Sequence, residues 1–202
     1  MKFSGLWLNF WNLAVPSATF VRNGNIPAMQ ALTAWANFYV IVGSSAGALT
    51  GLQFVVMALI SENKMEGTMA EIRAFGTPTI VHFCSVLFAS AMMSAPWGAM
   101  TSLTTALGAL AIAGIAYALV VLRRTWAQSR YQPVLEDWLW HCAFPLICYV
   151  CIGIAAIVLS VNGALALFIL AGVEVSLLFV GIHNAWDTVT YIVIESRAQG
   201  RR

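Results

Sequence analysis

Charge is what this chain has least of. Asp, Glu, Lys and Arg together make up only 9% of its 202 residues, where an ordinary soluble domain carries about a quarter. Histidine is scarcer still, at three copies. So few charges cannot cover the surface of a water-soluble fold of this size. The four cysteines, Cys84, Cys142, Cys148 and Cys151, all lie in apolar runs, which excludes a secreted disulfide framework and a loop zinc knuckle. Cys148 and Cys151 form a C-x-x-C, but a thiol relay across a membrane needs a second pair, and the sequence has none. Catalytic signatures are missing as well: there is no H-E-x-x-H, no G-x-S-x-G, no phosphate loop and no dinucleotide fingerprint. No catalytic residue is assigned, and the sequence leans away from an enzyme. The basic residues are scattered and follow topology, not nucleic-acid binding.

What the chain has in excess is apolar surface: 60% of residues, with a mean hydropathy of +0.82. A hydrocarbon core of about 30 Å takes about 20 helical residues. Five runs meet that length, over 35–60, 78–97, 101–122, 138–159 and from 163 onward. The expected fold is all-α: a polytopic membrane helical bundle of five transmembrane helices with an N-terminal interfacial segment. The expected organisation is 1–33 as that interfacial segment, 34–195 as the transmembrane domain and 196–202 as a basic tail. In the first segment Phe3, Trp7, Phe10, Trp11 and Ala14 recur at helical spacing, which suits a helix lying in the interface, not a cleaved signal. Thr77 and Pro78 suit the N-cap and first position of the second helix.

Five crossings place the two ends of the chain on opposite sides. With the N-terminus outside, Lys64, Arg73, Arg123, Arg124, Arg130, Arg197, Arg201 and Arg202 face the cytoplasm and only Lys2 and Arg22 do not. That asymmetry fits a bacterial inner membrane protein with a cytoplasmic C-terminus. Trp126, Trp138, Trp140 and Trp186 then gather at the inner boundary, and Trp35 and Trp97 at the outer. The first span carries Gly43, Gly47 and Gly51 at every fourth position, a spacing that lets helix backbones approach closely. Such packing would serve a neighbouring span, a homo-oligomer or a larger membrane complex.

The polar residues inside these runs are the functional candidates, because ionisable groups in a bilayer are costly to keep. Glu174 lies about 16 Å along the fifth span, with Gln53 at a similar depth on the first. His183 and Asp187 are four apart and share a helix face, and Ser176 lies on nearly the same stripe. His82 and His141, from two other spans, lie in the same half of the membrane, as does Asp137. Pro145 lacks the amide that would bond the His141 carbonyl. A pathway or proton relay would use Glu174, His183, Asp187, Gln53 and Ser176. A metal ion or haem would be held by His82, His141, His183, Asp137 and Asp187.

The stretches FYVIVGSSAGALTGLQFVV, DWLWHCAFPL and GIHNAWDTVTYIV resemble a group of small multi-pass bacterial membrane proteins with no assigned activity. That resemblance implies a fold and no mechanism. Three functions are therefore expected in order: a small channel or transporter, a membrane-embedded metal or haem protein, and a non-catalytic assembly or modulator subunit. The lipid bilayer is the one partner common to all three, and none calls for nucleic acid.

Overall fold

The computed structural model of the chain describes residues 28–62, 68–127 and 135–199. Residues 1–27 of the interfacial segment expected over 1–33, the last residues of the basic tail and the side chain of Asp137 lie outside the described residues. The helices are α1 (Ala28–Glu62), α2 (Thr68–Ser94), α3 (Met100–Ala127), α4 (Leu135–Trp138), a π-helical turn (Leu139–Ala143), α5 (Phe144–Val158) and α6 (Gly163–Gln199). Among the described residues five stretches are long and apolar enough to cross a bilayer: Leu32–Ala58, Thr77–Ser94, Met100–Trp126, Leu139–Val158 and Gly163–Thr190. The chain is an all-α, multi-pass membrane protein.

Helix α6 is the centre of the bundle, packing on α1, α2 and α5, while α1 and α3 take the flanks. Its buried face is drawn from Leu170, Val173, Leu177 and Val180, and the opposite flank turns Phe168, Phe179 and Ile182 outward. Helix α1 likewise buries Tyr39, Val42 and Ala46 and exposes Ile41, Phe54 and Val55. Outward apolar side chains would be a liability in water, but against lipid tails they are the expected surface. Two ends of the bundle follow from this up-and-down order. One carries Arg123 and Arg124 near the end of α3 and is termed the basic end.

Local chemistry sets the breaks between helices. The α5–α6 turn is tight, and Asn162 caps α6: its Oδ1 accepts from the Leu165 amide at 3.1 Å, the third residue of the helix, as a good N-cap does. The α2 start departs from expectation. Helix α2 begins at Thr68, so Pro78 is interior to it and not at its first position. A helix can run on past the hydrocarbon into water, and the loss of one internal hydrogen bond at a proline does not stop it when packing holds both sides.

Glycine matters where helices meet most closely. A Cβ at Gly114 of α3 would fall inside the Tyr149 ring, and one at Gly181 of α6 inside the Phe83 ring. In the glycine series of α1 only Gly43 makes a close approach, where a Cβ would stand 2.8 Å from the Ser90 Cβ. Gly47 is in loose contact with Leu87, and Gly51 has nothing within 4 Å. Within the chain the tight approach is thus at Gly43.

Candidate functional site

Three polar clusters line the inner faces of α2, α5 and α6. The deepest is Glu174, whose side chain is fully buried, with 0% exposure. Ser90 of α2 donates its hydroxyl to Glu174 Oε2 at 2.5 Å. Ser90 can lean that way because Gly43 leaves room behind it. The second carboxyl oxygen, Oε1, is buried and meets no donor among the described residues. Tyr39 stands close to the same carboxyl but spends its hydroxyl on the Leu167 carbonyl, 3.1 Å away. Gln53 is buried too, but it lies ten residues beyond Gly43, roughly 15 Å further along α1. Ser90, and not Gln53, is therefore the partner of Glu174.

The second cluster joins α2 to α5. The Tyr149 hydroxyl lies 3.0 Å from His82 Nδ1 and 3.0 Å from Ser85 Oγ. Ser85 in turn donates to the Val81 carbonyl at 2.8 Å. Tyr149 and His82 are both buried, and His82 Nε2 has no partner among the described residues. The empty side of Gly114 is what seats the Tyr149 ring. His141 is near enough to His82 to act on it electrostatically.

The third cluster is at the basic end and is organised by Pro145. The Phe144 amide bonds Leu139 O, five residues back, which is the π register. In that register an amide at 145 would bond Trp140 O, and proline has none. The freed carbonyl is thus that of Trp140, one residue earlier than expected from an unbroken α-helix. Asn184 of α6, fully buried, directs its Nδ2 to this oxygen at 3.5 Å. Next to it the His183 ring stacks on the Trp140 indole, centroids 4.0 Å apart and planes within 8°. Asp187 Oδ2 lies 3.1 Å from His183 Nδ1, though out of line for a hydrogen bond, and Glu136 Oε1 lies 3.8 Å from Nε2. Both carboxylates are more than half exposed, so these contacts sit at the wet margin and contribute little to stability.

His82 and His183 therefore do different things. His82 bonds a tyrosine inside the bundle, and His183 stacks on Trp140 at its edge. Among the described residues no group of three His, Cys, Asp or Glu is placed to hold a metal ion. Ser176 lies on the exposed side of α6 and gives its hydroxyl to the Gly172 carbonyl of its own helix at 2.7 Å. The residues not anticipated from sequence are Ser85, Ser90, Tyr149 and Asn184. A signal existed on α2, where Thr79, His82, Ser85 and Ser90 recur at spacings that keep them on one broad side of the helix.

The chain matches no family model, no curated protein and no solved structure. The resemblance seen in the sequence thus identifies no family, and function has to be argued from the buried polar groups themselves.

Proposed function

We propose that this protein is a small proton-conducting channel or proton-coupled transporter in which Glu174 is the intramembrane proton-binding group. One observation carries the reading: a fully buried carboxyl near mid-span with one oxygen tied to Ser90 and the other without a donor among the described residues. A carboxyl kept only to join two helices would be expected to spend both oxygens on donors. An acid that exchanges a proton needs one oxygen free to meet water. His183 and Asp187 sit at the basic end, where protons would pass to or from solvent, and the excess of Lys and Arg supports a cytoplasmic position for that end.

The test is proton uptake by vesicles containing the purified protein and a trapped pH dye, driven by a potassium diffusion potential. Wild-type protein should acidify the lumen and Glu174→Gln, which keeps the shape and the Ser90 contact, should not. Equal rates for the two proteins, or a rate no greater than in empty vesicles, would refute the proposal.

A further inference from the structure

The hydrogen bonds around Tyr149 can be assigned a direction, and the direction has a functional consequence. Ser85 has one hydroxyl hydrogen, and the Val81 carbonyl can only accept, so that hydrogen points to Val81 O at 2.8 Å. Ser85 Oγ must then accept from Tyr149, which uses the only hydrogen of the phenol. Tyr149 in turn has only lone pairs left for His82, so the hydrogen in that 3.0 Å contact belongs to His82 Nδ1. This is the one arrangement in which all three contacts are hydrogen bonds. It puts a hydrogen on His82 Nδ1, so that in the neutral ring Nε2 is a bare lone pair, in a side chain only 1% exposed and with no partner among the described residues.

We propose that His82 Nε2 is a second proton-exchange point of the conduction pathway, with Tyr149 as the residue that positions it. This rests on the proton-conducting reading and adds a station to it. A protonated internal water gives a proton to Nε2: its O–H bond breaks, an N–H bond forms, and the donor returns to neutral water. The imidazolium is held while both its N–H groups are engaged, Nδ1 by the Tyr149 oxygen, whose own dipole and that of Ser85 point away from the ring. The Nε2–H bond then breaks to a second water, and the neutral Nδ1–H form is restored. His82 is thus set up to accept and release through one nitrogen, with no ring flip. His141 is near enough to act on the ring, and a proton resident there would oppose charging of His82, while Tyr117, Cys148 and Cys84 lie near the Tyr149 phenol.

Tyr149→Phe is the informative variant, because the ring keeps its seat against Gly114 and only the hydroxyl is lost. Two readouts are needed. Nitrogen NMR of labelled histidine should show wild-type His82 with its proton on Nδ1, and Tyr149→Phe should shift the population toward the Nε2–H tautomer. In the vesicle assay Tyr149→Phe should slow proton uptake about tenfold or more, and His82→Gln should do the same. A wild-type His82 protonated on Nε2 would overturn the assigned bond order. Uptake that is normal in Tyr149→Phe and His82→Gln but lost in Glu174→Gln would remove His82 from the pathway and leave the Glu174 reading standing. Uptake insensitive to Glu174→Gln but slowed by Tyr149→Phe would retain the His82 station and discard the role of Glu174. No uptake by wild-type protein would end both.

Discussion

Replacing Gly114 by alanine adds one methyl group, yet the position of Tyr149 makes it one of the more damaging single changes available in this fold. The new Cβ would overlap three atoms of the Tyr149 ring, Cγ, Cδ1 and Cε1. That ring is fully buried and cannot swing away into lipid. Overpacking of this kind costs about 1–3 kcal/mol. If the ring shifts to relieve it, its hydroxyl leaves His82 and Ser85, and the buried imidazole N–H left without an acceptor costs about 1–3 kcal/mol more. Against these stands the helix-propensity gain of glycine to alanine, at most about 1 kcal/mol. The net expectation is a loss of roughly 1–5 kcal/mol. The assay is unfolding in mixed micelles titrated with a denaturing detergent, followed by helical circular dichroism. Gly51→Ala is the control, since nothing lies within 4 Å of its added methyl, and it should be neutral or slightly stabilising. Combining Gly114→Ala with Tyr149→Phe should cost less than the sum of the two, because both strike the same hydroxyl. A Gly114→Ala protein no less stable than Gly51→Ala would contradict the clash with Tyr149.

Other substitutions separate cross-helix bonds from local ones. Ser90→Ala, which removes the donor to Glu174, should destabilise the same micelle-bound protein by about 1–3 kcal/mol. Ser94→Ala, whose hydroxyl bonds only the Ser90 carbonyl of its own helix, should stay within about 0.5 kcal/mol of wild type. Asn184→Ala should be destabilising in the wild-type background and clearly less so alongside Pro145→Ala, which restores an amide to the π turn; additive costs would argue that Asn184 does not serve the Trp140 carbonyl. Among the cysteines, Cys84 is exposed whereas Cys142 and Cys148 are buried. A lipid-soluble maleimide should therefore modify Cys84 well before those two, as read by peptide mass spectrometry.

The spans were legible because hydropathy reports contact with lipid, and five apolar runs of sufficient length cannot be arranged otherwise. The same signal is blind to where a helix stops. Helix α2 extends back to Thr68 and α6 onward to Gln199, because charged residues can continue a helix into water. Glu174 stood out as a lone acid in an apolar run. Its partner did not, since most hydroxyls in these spans, among them Ser45, Ser94, Thr105 and Ser176, bond a carbonyl of their own helix. Which serine turns instead to a neighbouring helix depends on what stands opposite, as Gly43 and Glu174 do for Ser90. His82 invited a metal reading because imidazole suits metals, whereas the group it meets, Tyr149, lies in a run that reads as hydrophobic core. Pro145 announced a disturbed helix, but not the π register that frees the Trp140 carbonyl or the Asn184 amide that meets it. Orientation and oligomeric state concern the membrane and other copies, neither of which acts on a single chain's internal geometry.

The most direct test of the central claim follows the Glu174 carboxyl itself. In reconstituted membranes its infrared C=O stretch can be assigned by its disappearance in Glu174→Gln and then watched as the buffer is changed to heavy water. If Glu174 exchanges its proton with an internal path, the band should shift within minutes while the backbone amides of α6 stay protected. A band that stays unshifted for as long as those amides do would mean that the carboxyl is sealed in the bundle, and the proton-conducting reading would be wrong.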